Sequence, residues 1–157
     1  MKNEMEIWFT ARAENESLAR MAVTAFILEA DPTMEQIADV KTAVSEAVTN
    51  SIIHGYGREE ETRGEEDFKI RMKCKLSGKE LYLEVEDKGC GIADIKKAME
   101  PLYTTRPDME RSGMGFSFME AFMDHIEVES QVGNGTIVKM LKNLEQKEGN
   151  QNGQCET

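Results

Sequence analysis

At 157 residues the chain has the length of one domain, and 39% apolar residues are enough to build a core. Nineteen basic against 30 acidic residues leave a net charge of −11, a field that repels phosphate backbones and anionic lipid and so argues against nucleic acid or a membrane as a direct partner. No run of about 18 apolar residues occurs, the opening MKNEMEIWFT lacks the pattern of a secretory leader, and Cys74, Cys90 and Cys155 form no CxxC pair, which fits neither a disulfide framework nor a zinc site; a cytoplasmic protein is expected.

Met5 to Thr10 reads as a first strand. A polar cluster at Asn15 to Ser17 opens a helix whose apolar positions, Leu18, Met21, Ala22, Ala25, Phe26 and Leu28, recur at steps of three and four. It should end near Asp31, because Pro32 disfavours helical geometry in the residue before it. Thr33 and Gln36 have the spacing of a capping box, and Ile37, Val40, Ala43 or Val44, Ala47, Val48 and Ile52 carry a second helix to a glycine stop at Gly55. From Gly57 to Asp67 the chain is almost wholly charged, a solvated loop. Phe68 to Leu76 and Glu80 to Glu86 alternate as an antiparallel hairpin around Ser77 and Gly78.

A glycine-rich turn at Asp87 to Gly91 leads to a short helix around Ala93 to Met99. Residues 101 to 112, PLYTTRPDMERS, hold two prolines and no period and read as a mobile loop. Gly113 to Gly115 opens a helix to about Met123, and His125 to Gln131 with Gly135 to Leu141 forms a second hairpin around Gly133 to Gly135. From Lys142 the chain has few apolar residues and is expected to fray, so a domain at 1–144 and a disordered tail at 145–157 are expected. Helices and hairpins in this order predict an α+β two-layer sandwich, one mixed, mostly antiparallel sheet with helices on one face.

Three clusters carry candidate chemistry. Glu46 and Asn50 in SEAVTNSIIHGY stand four apart, one helical turn, and share a face. They read either as a polar stripe or as a hard-cation ligand, the Asn50 carbonyl oxygen, beside a carboxylate able to polarise a hydroxyl. In EVEDKGCGIAD, Asp87 either begins a turn or accepts a hydrogen bond from an exocyclic amine such as adenine's, with Gly89 and Gly91 letting the backbone approach a ligand. In RSGMGFS, Gly113 to Gly115 is either a tight turn or an anion site at a helix N-terminus. Neither glycine pair completes a P-loop or a dinucleotide fingerprint.

In this order the clusters resemble the N box and the two glycine boxes of the ATPase family shared by gyrase, heat-shock chaperones, histidine kinases and mismatch-repair proteins. The segments SEAVTNSIIHGY and PLYTTRPDMERSGMGF, the opening MKNEM and DPTM at 31–34 further resemble the anti-sigma F factors of sporulation, a family of small serine protein kinases, from Met1 to about Leu144. That resemblance implies the Bergerat-type ATP-binding fold and an ATP-dependent kinase that phosphorylates a serine on a small anti-anti-sigma protein. It also implies a homodimer that otherwise holds a sigma factor of RNA polymerase inactive.

Carried onto this chain, the resemblance makes Glu46 the general base and Asn50 the Mg2+ ligand. It puts Asp87 on adenine, with Gly89, Gly91, Ile92, His54 and Gly55 around the base. Ser112, Gly113, Met114, Gly115 and Phe116 grip the phosphates of ATP or ADP, and Thr104, Thr105, Arg106 and Arg111 form a lid from which Arg106 reaches the γ-phosphate. Phe116 and Ser117 stand where histidine kinases extend the second glycine box. No phosphoacceptor hairpin precedes His54, which closes the helix end or lines the pocket, and His125 is expected to be structural. The alternative to a kinase is a nonenzymatic, nucleotide-gated binding module, against which the retained Glu46 speaks. Glu16, Arg20 and Glu29 read as a solvated helix face or a partner contact, and the 11 methionines, Met109, Met114, Met119 and Met123 among them, as core filler.

Overall fold

The computed structural model describes residues 2–56, 68–100 and 115–147. Strand β1 (Lys2–Thr10) is followed by α1 (Glu14–Ile27), a 3-10 turn at Leu28–Ala30 and α2 (Met34–Asn50). Strands β2 (Lys69–Ser77) and β3 (Glu80–Asp87) precede a short α3 (Ile95–Ala98), then α4 (Gly115–Phe122), β4 (His125–Gln131) and β5 (Gly135–Asn143). The sheet order is β1-β2-β3-β5-β4.

Local chemistry sets the helix ends. Asp31 adopts a left-handed conformation, φ 50°, and ends the first helical segment before Pro32. The Thr33 hydroxyl accepts the Gln36 N–H at 3.1 Å while the Gln36 side chain accepts the Thr33 N–H at 2.9 Å, the reciprocal capping box expected from their spacing. At its other end α2 does not stop at Asn50 but widens into a π turn, Ser51–Gly55.

On α1 the expected apolar face is corrected. Ala19, Val23 and Ile27 are buried, whereas Leu18, Met21 and Leu28 are exposed. The helix carries apolar residues on two adjacent faces, and the face bearing Ala19, Val23 and Ile27 is the one turned into the core. Glu16, on the expected solvated face, is partly buried: its carboxylate accepts the Ser45 hydroxyl of α2 and pairs with Arg20 at 3.2 Å.

All four strand pairings are antiparallel among the described strands, where a mixed sheet was expected. β3 and β4 run the same way, but β5 inserts between them, so no parallel ladder forms. The inner face contributes Ile70, Met72, Leu81, Leu83, Val85, Val138 and Met140 to a core closed by Val23, Ile27, Val40, Val44 and Val48. Met119 and Met123 join it, Met21 and Met34 are exposed, and Met109 and Met114 lie outside the described residues.

The outer face is held by charge. One row across the five strands reads Glu6, Lys73, Glu84, Lys139, Glu127, alternating in sign, and Arg71 donates to both Glu84 and Glu86 at 2.5 Å. Burial alone would raise these two carboxyls, yet hydrogen bonds from Tyr82 and Arg71 to Glu84, and from Lys88 and Arg71 to Glu86, hold both below the ordinary carboxylate range.

Contrary to expectation, the chain does not loosen from Lys142. β5 runs to Asn143, Leu144 is fully buried with its N–H on the Lys79 carbonyl at 2.8 Å, and Lys142 pairs with Asp39 of α2 at 3.4 Å. Residues 148–157 lie outside the described residues, as do the acidic loop 57–67 and the segment 101–114. Among the described residues no helix is long and apolar enough to cross a membrane.

Candidate functional site

The site grows from the C-terminal end of α2. Glu46 and Asn50 are both half-buried, and α4 begins directly against them. A β-carbon at Gly115 would stand 3.1 Å from both amide atoms of Asn50 and 3.3 Å from Glu46 Oε2. The missing side chain at Gly115 is what lets the start of α4 close on the first motif.

One turn further, the π turn faces the end of β3. Among the described residues Ser51, Asp87 and Thr136 are the buried polar ones, 4%, 4% and 8% exposed, and they meet at one point. Burying a carboxyl group is unfavourable unless it is hydrogen-bonded, and Asp87 is bonded on both oxygens. Oδ1 accepts the Gly89 N–H at 2.9 Å and Oδ2 accepts the Ser51 hydroxyl at 2.9 Å. Burial pushes the Asp87 carboxyl up to about 6, against the Gly89, Ser51 and Thr136 hydrogen bonds and with a small push from Glu86.

The glycine loop after Asp87 is pinned on two sides. The Cys90 N–H donates to the Gly55 carbonyl at 2.8 Å, the Cys90 thiol contacts the His54 carbonyl at 3.0 Å, and the Gly133 N–H donates to the Cys90 carbonyl at 2.8 Å. The Ile92 N–H reaches Ser130 Oγ at 2.7 Å, and that oxygen lies 2.8 Å from Thr136 Oγ1. A β-carbon on Gly89 would fall 2.0 Å from the Gly55 carbonyl oxygen, so Gly89 is glycine to admit the helix end rather than to leave the backbone open to a ligand. Gly91 has φ 74°, a conformation side chains rarely adopt.

Tyr56 completes the support. Its ring stacks on Phe68 at 4.9 Å, and its hydroxyl donates to the Lys69 carbonyl at 2.6 Å and accepts the Lys88 N–H at 2.7 Å. A cleft of about 310 Å³ opens at the same strand ends between Asp87, Glu129, Ser130, Asn134 and Thr136.

Of the expected site residues, Glu46, Asn50 and Gly115 come together at the helix end, with Phe116 half-buried on α4. Asp87, Gly89, Gly91, Ile92, His54 and Gly55 come together at the loop. Thr104, Thr105, Arg106, Arg111, Ser112, Gly113 and Met114 lie outside the described residues. His125 is exposed at the start of β4.

Ser51, Tyr56, Ser130 and Thr136 were missed by the sequence reading. Ser51 follows the inward stripe of α2, Ser130 sits at an inward position of β4 after Ile126 and Val128, and Thr136 at an inward position of β5 before Val138 and Met140. A polar residue on an apolar stripe was the signal available for Ser51, Ser130 and Thr136, and Tyr56 had none.

Comparison with known proteins adds the following. Residues 9–142 match the model of the histidine kinase-like ATPase domain. The chain is 56% identical over 142 residues to the anti-sigma F factor of Clostridium novyi, covering 90% of this chain and 95% of that one. It is 47% identical over 144 residues to the anti-sigma F factor of Pasteuria penetrans, with coverage of 92% and 93%. Among solved structures, one of the RsbU and RsbW domains of a Mycobacterium tuberculosis protein superposes with a TM-score of 0.65 at 19% identity, a likeness of fold. It covers 90% of this chain and 32% of that one.

Proposed function

The chain belongs to the histidine kinase-like ATPase family and, within it, to the anti-sigma F factors, and from that footing we propose that it is an ATP-dependent serine protein kinase. Its substrate is a small anti-anti-sigma protein, and in its other role it binds a sigma factor of RNA polymerase and holds it inactive, as a cytoplasmic homodimer. The observation that carries the reading is the closure of Gly115 onto Glu46 and Asn50 at the same helix end whose next turn braces the buried acceptor Asp87.

The chemistry follows from the side chains. Asp87 accepts from the amino group of adenine. Asn50 offers a neutral carbonyl oxygen beside the Glu46 carboxylate, an all-oxygen set of the kind Mg2+ takes, and fits the role of its protein ligand. When bound, that ion neutralises phosphate charge. Glu46 takes the proton of the attacking serine hydroxyl as its oxygen bonds to the γ-phosphorus and the bond to the β-phosphate oxygen breaks, releasing ADP. We assign Arg106 to the γ-phosphate, with Thr104, Thr105 and Arg111 beside it in the lid and Ser112 to Met114 on the phosphates.

The test is transfer of label from γ-labelled ATP to an anti-anti-sigma protein, read as acid-stable phosphoserine. Glu46→Gln should keep ATP affinity and lower transfer by about 10² to 10⁴-fold. Absence of transfer, with ATP still required to retain a sigma factor, would make the chain a nucleotide-gated binding module. Acid-labile product would indicate histidine phosphorylation.

A further inference from the structure

Ser51 is polar, 4% exposed, and set where the inward stripe of α2 calls for an apolar residue. A buried hydroxyl without a partner is destabilising, and this one donates to Asp87 Oδ2 at 2.9 Å. The aim of that hydroxyl comes from the backbone: the chain leaves α-helical pitch at Ser51, and the wider π turn carries the Gly55 carbonyl onto the Cys90 N–H while Ser51 stays on Asp87. Helix end and glycine loop are thus joined by a side-chain bond and a main-chain bond.

The Gly89 N–H already occupies one site on Asp87 Oδ1. With Ser51 donating to Oδ2, the carboxylate plane is fixed and the remaining lone pairs are all acceptors.

We propose that Ser51 is a positioning residue for base recognition, holding Asp87 as an oriented acceptor so that the site takes a 6-aminopurine triphosphate and discriminates against the 6-oxo analogue. This rests on the assignment of Asp87 to the base made above. An ionised acceptor pairs with the 6-amino group of adenine and repels the 6-oxo group of hypoxanthine, whereas a protonated carboxyl can donate to the latter. Removing the Ser51 bond withdraws a donor that favours the charged form, so protonation becomes easier.

The groups facing Asp87 come from several elements. Glu86 and Lys88, paired at 2.5 Å, flank it in the chain, and Ile70 opposite it on β2 is flanked by Lys69 and Arg71. His54 and Tyr56 belong to the helix end, Cys90 to the loop, and Glu129 to the shared cleft. None of these is altered by a change at Ser51.

The experiment uses the full chain as wild type, Ser51→Ala and Ser51→Cys, the last nearly the same size with a weak donor. Affinities for ATP and inosine triphosphate, both with Mg2+, are measured by calorimetry from pH 5 to 8.5, and the Asp87 carboxyl is titrated by carbon-13 resonance without nucleotide. Ser51→Ala should bind ATP about tenfold more weakly at pH 7, lose affinity on the acid side about one pH unit earlier, and narrow the ratio of ATP to inosine triphosphate affinity, with Ser51→Cys between. The midpoint of the carboxyl titration should rise in parallel. An unchanged ratio and acid limb, with only a lower melting temperature, would make Ser51 a packing residue and overturn the proposal. If the wild type binds neither nucleotide, the assignment of the base site fails, and an unshifted carboxyl titration in Ser51→Ala would then also refute the coupling of Ser51 to Asp87.

Discussion

Asp87 is a carboxyl group placed where water scarcely reaches, and its titration should be visible in folding. Burial sets it at about 6 in the folded chain, above the ordinary aspartate value of about 3.9. Between those values the folded state binds more protons than the unfolded state. Stability contributed by the neutral form is therefore complete below about pH 3.9 and lost as pH rises through about 6, a loss of about 3 kcal/mol. Asp87→Asn lacks the titrating group. In urea unfolding from pH 4.5 to 8, the difference between wild type and variant should move toward the variant by about 2 kcal/mol as pH rises, the part of the loss that falls in this window, while the variant loses nucleotide affinity. A difference independent of pH would mean that the carboxyl is relieved of its burial by some other contact.

At the scale of elements, α2 performs two tasks at opposite ends. Its N-terminus is a capping box, its C-terminus carries Glu46, Asn50 and the π turn, and its 17 residues put about 25 Å between the two. Thr33→Ala should therefore cost about 1 kcal/mol of stability and leave ATP affinity unchanged. Thermal melts with parallel nucleotide titration would check both halves, and a change in affinity would mean that fraying at Met34 reaches the site. The sheet divides its tasks by face in the same way. Its inner side is apolar against the helices, and its outer side is stitched by cross-strand pairs such as Arg71 with Glu84 and Glu86.

For the molecule as a whole, the loop after Asp87 joins the helix layer to the β4–β5 hairpin. Cys90 bonds Gly55 on one side and Gly133 on the other, and Ile92 bonds Ser130. Gly89 is where the loop meets the π turn most closely: a β-carbon there lies 2.0 Å from the Gly55 carbonyl oxygen, which belongs to the backbone and has nowhere to go. Gly89→Ala should destabilise by at least 1–3 kcal/mol and abolish tight ATP binding by prising the loop from the π turn. Gly78→Ala is the control: φ is 60° but nothing lies within 4 Å, so it should cost about 1 kcal/mol and spare binding. Chemical denaturation with ATP titration separates the two, and equal effects would show that the loop shifts to absorb the added β-carbon at Gly89.

Strand alternation, the capping box, the proline boundary at Asp31 and Pro32, and the three ordered motifs were legible in the sequence because each rests on residues a few positions apart. Tertiary structure decided what depends on contacts between distant segments. Which apolar face of α1 is buried was decided by packing, which takes Ala19, Val23 and Ile27 inward and leaves the larger Leu18 and Met21 exposed. The antiparallel sheet followed from the insertion of β5 between β3 and β4, and the burial of Leu144 from its place beside Lys79. The same holds inside the site. Spacing placed Glu46 and Asn50 on one helix face, but only folding could bring Gly115 onto that face, or show that Ser51, Asp87 and Thr136 are three polar residues sharing one buried point. Hydrogen-bond partners 36 or more residues apart leave no periodic trace in a chain, because their pairing is set by how the layers pack.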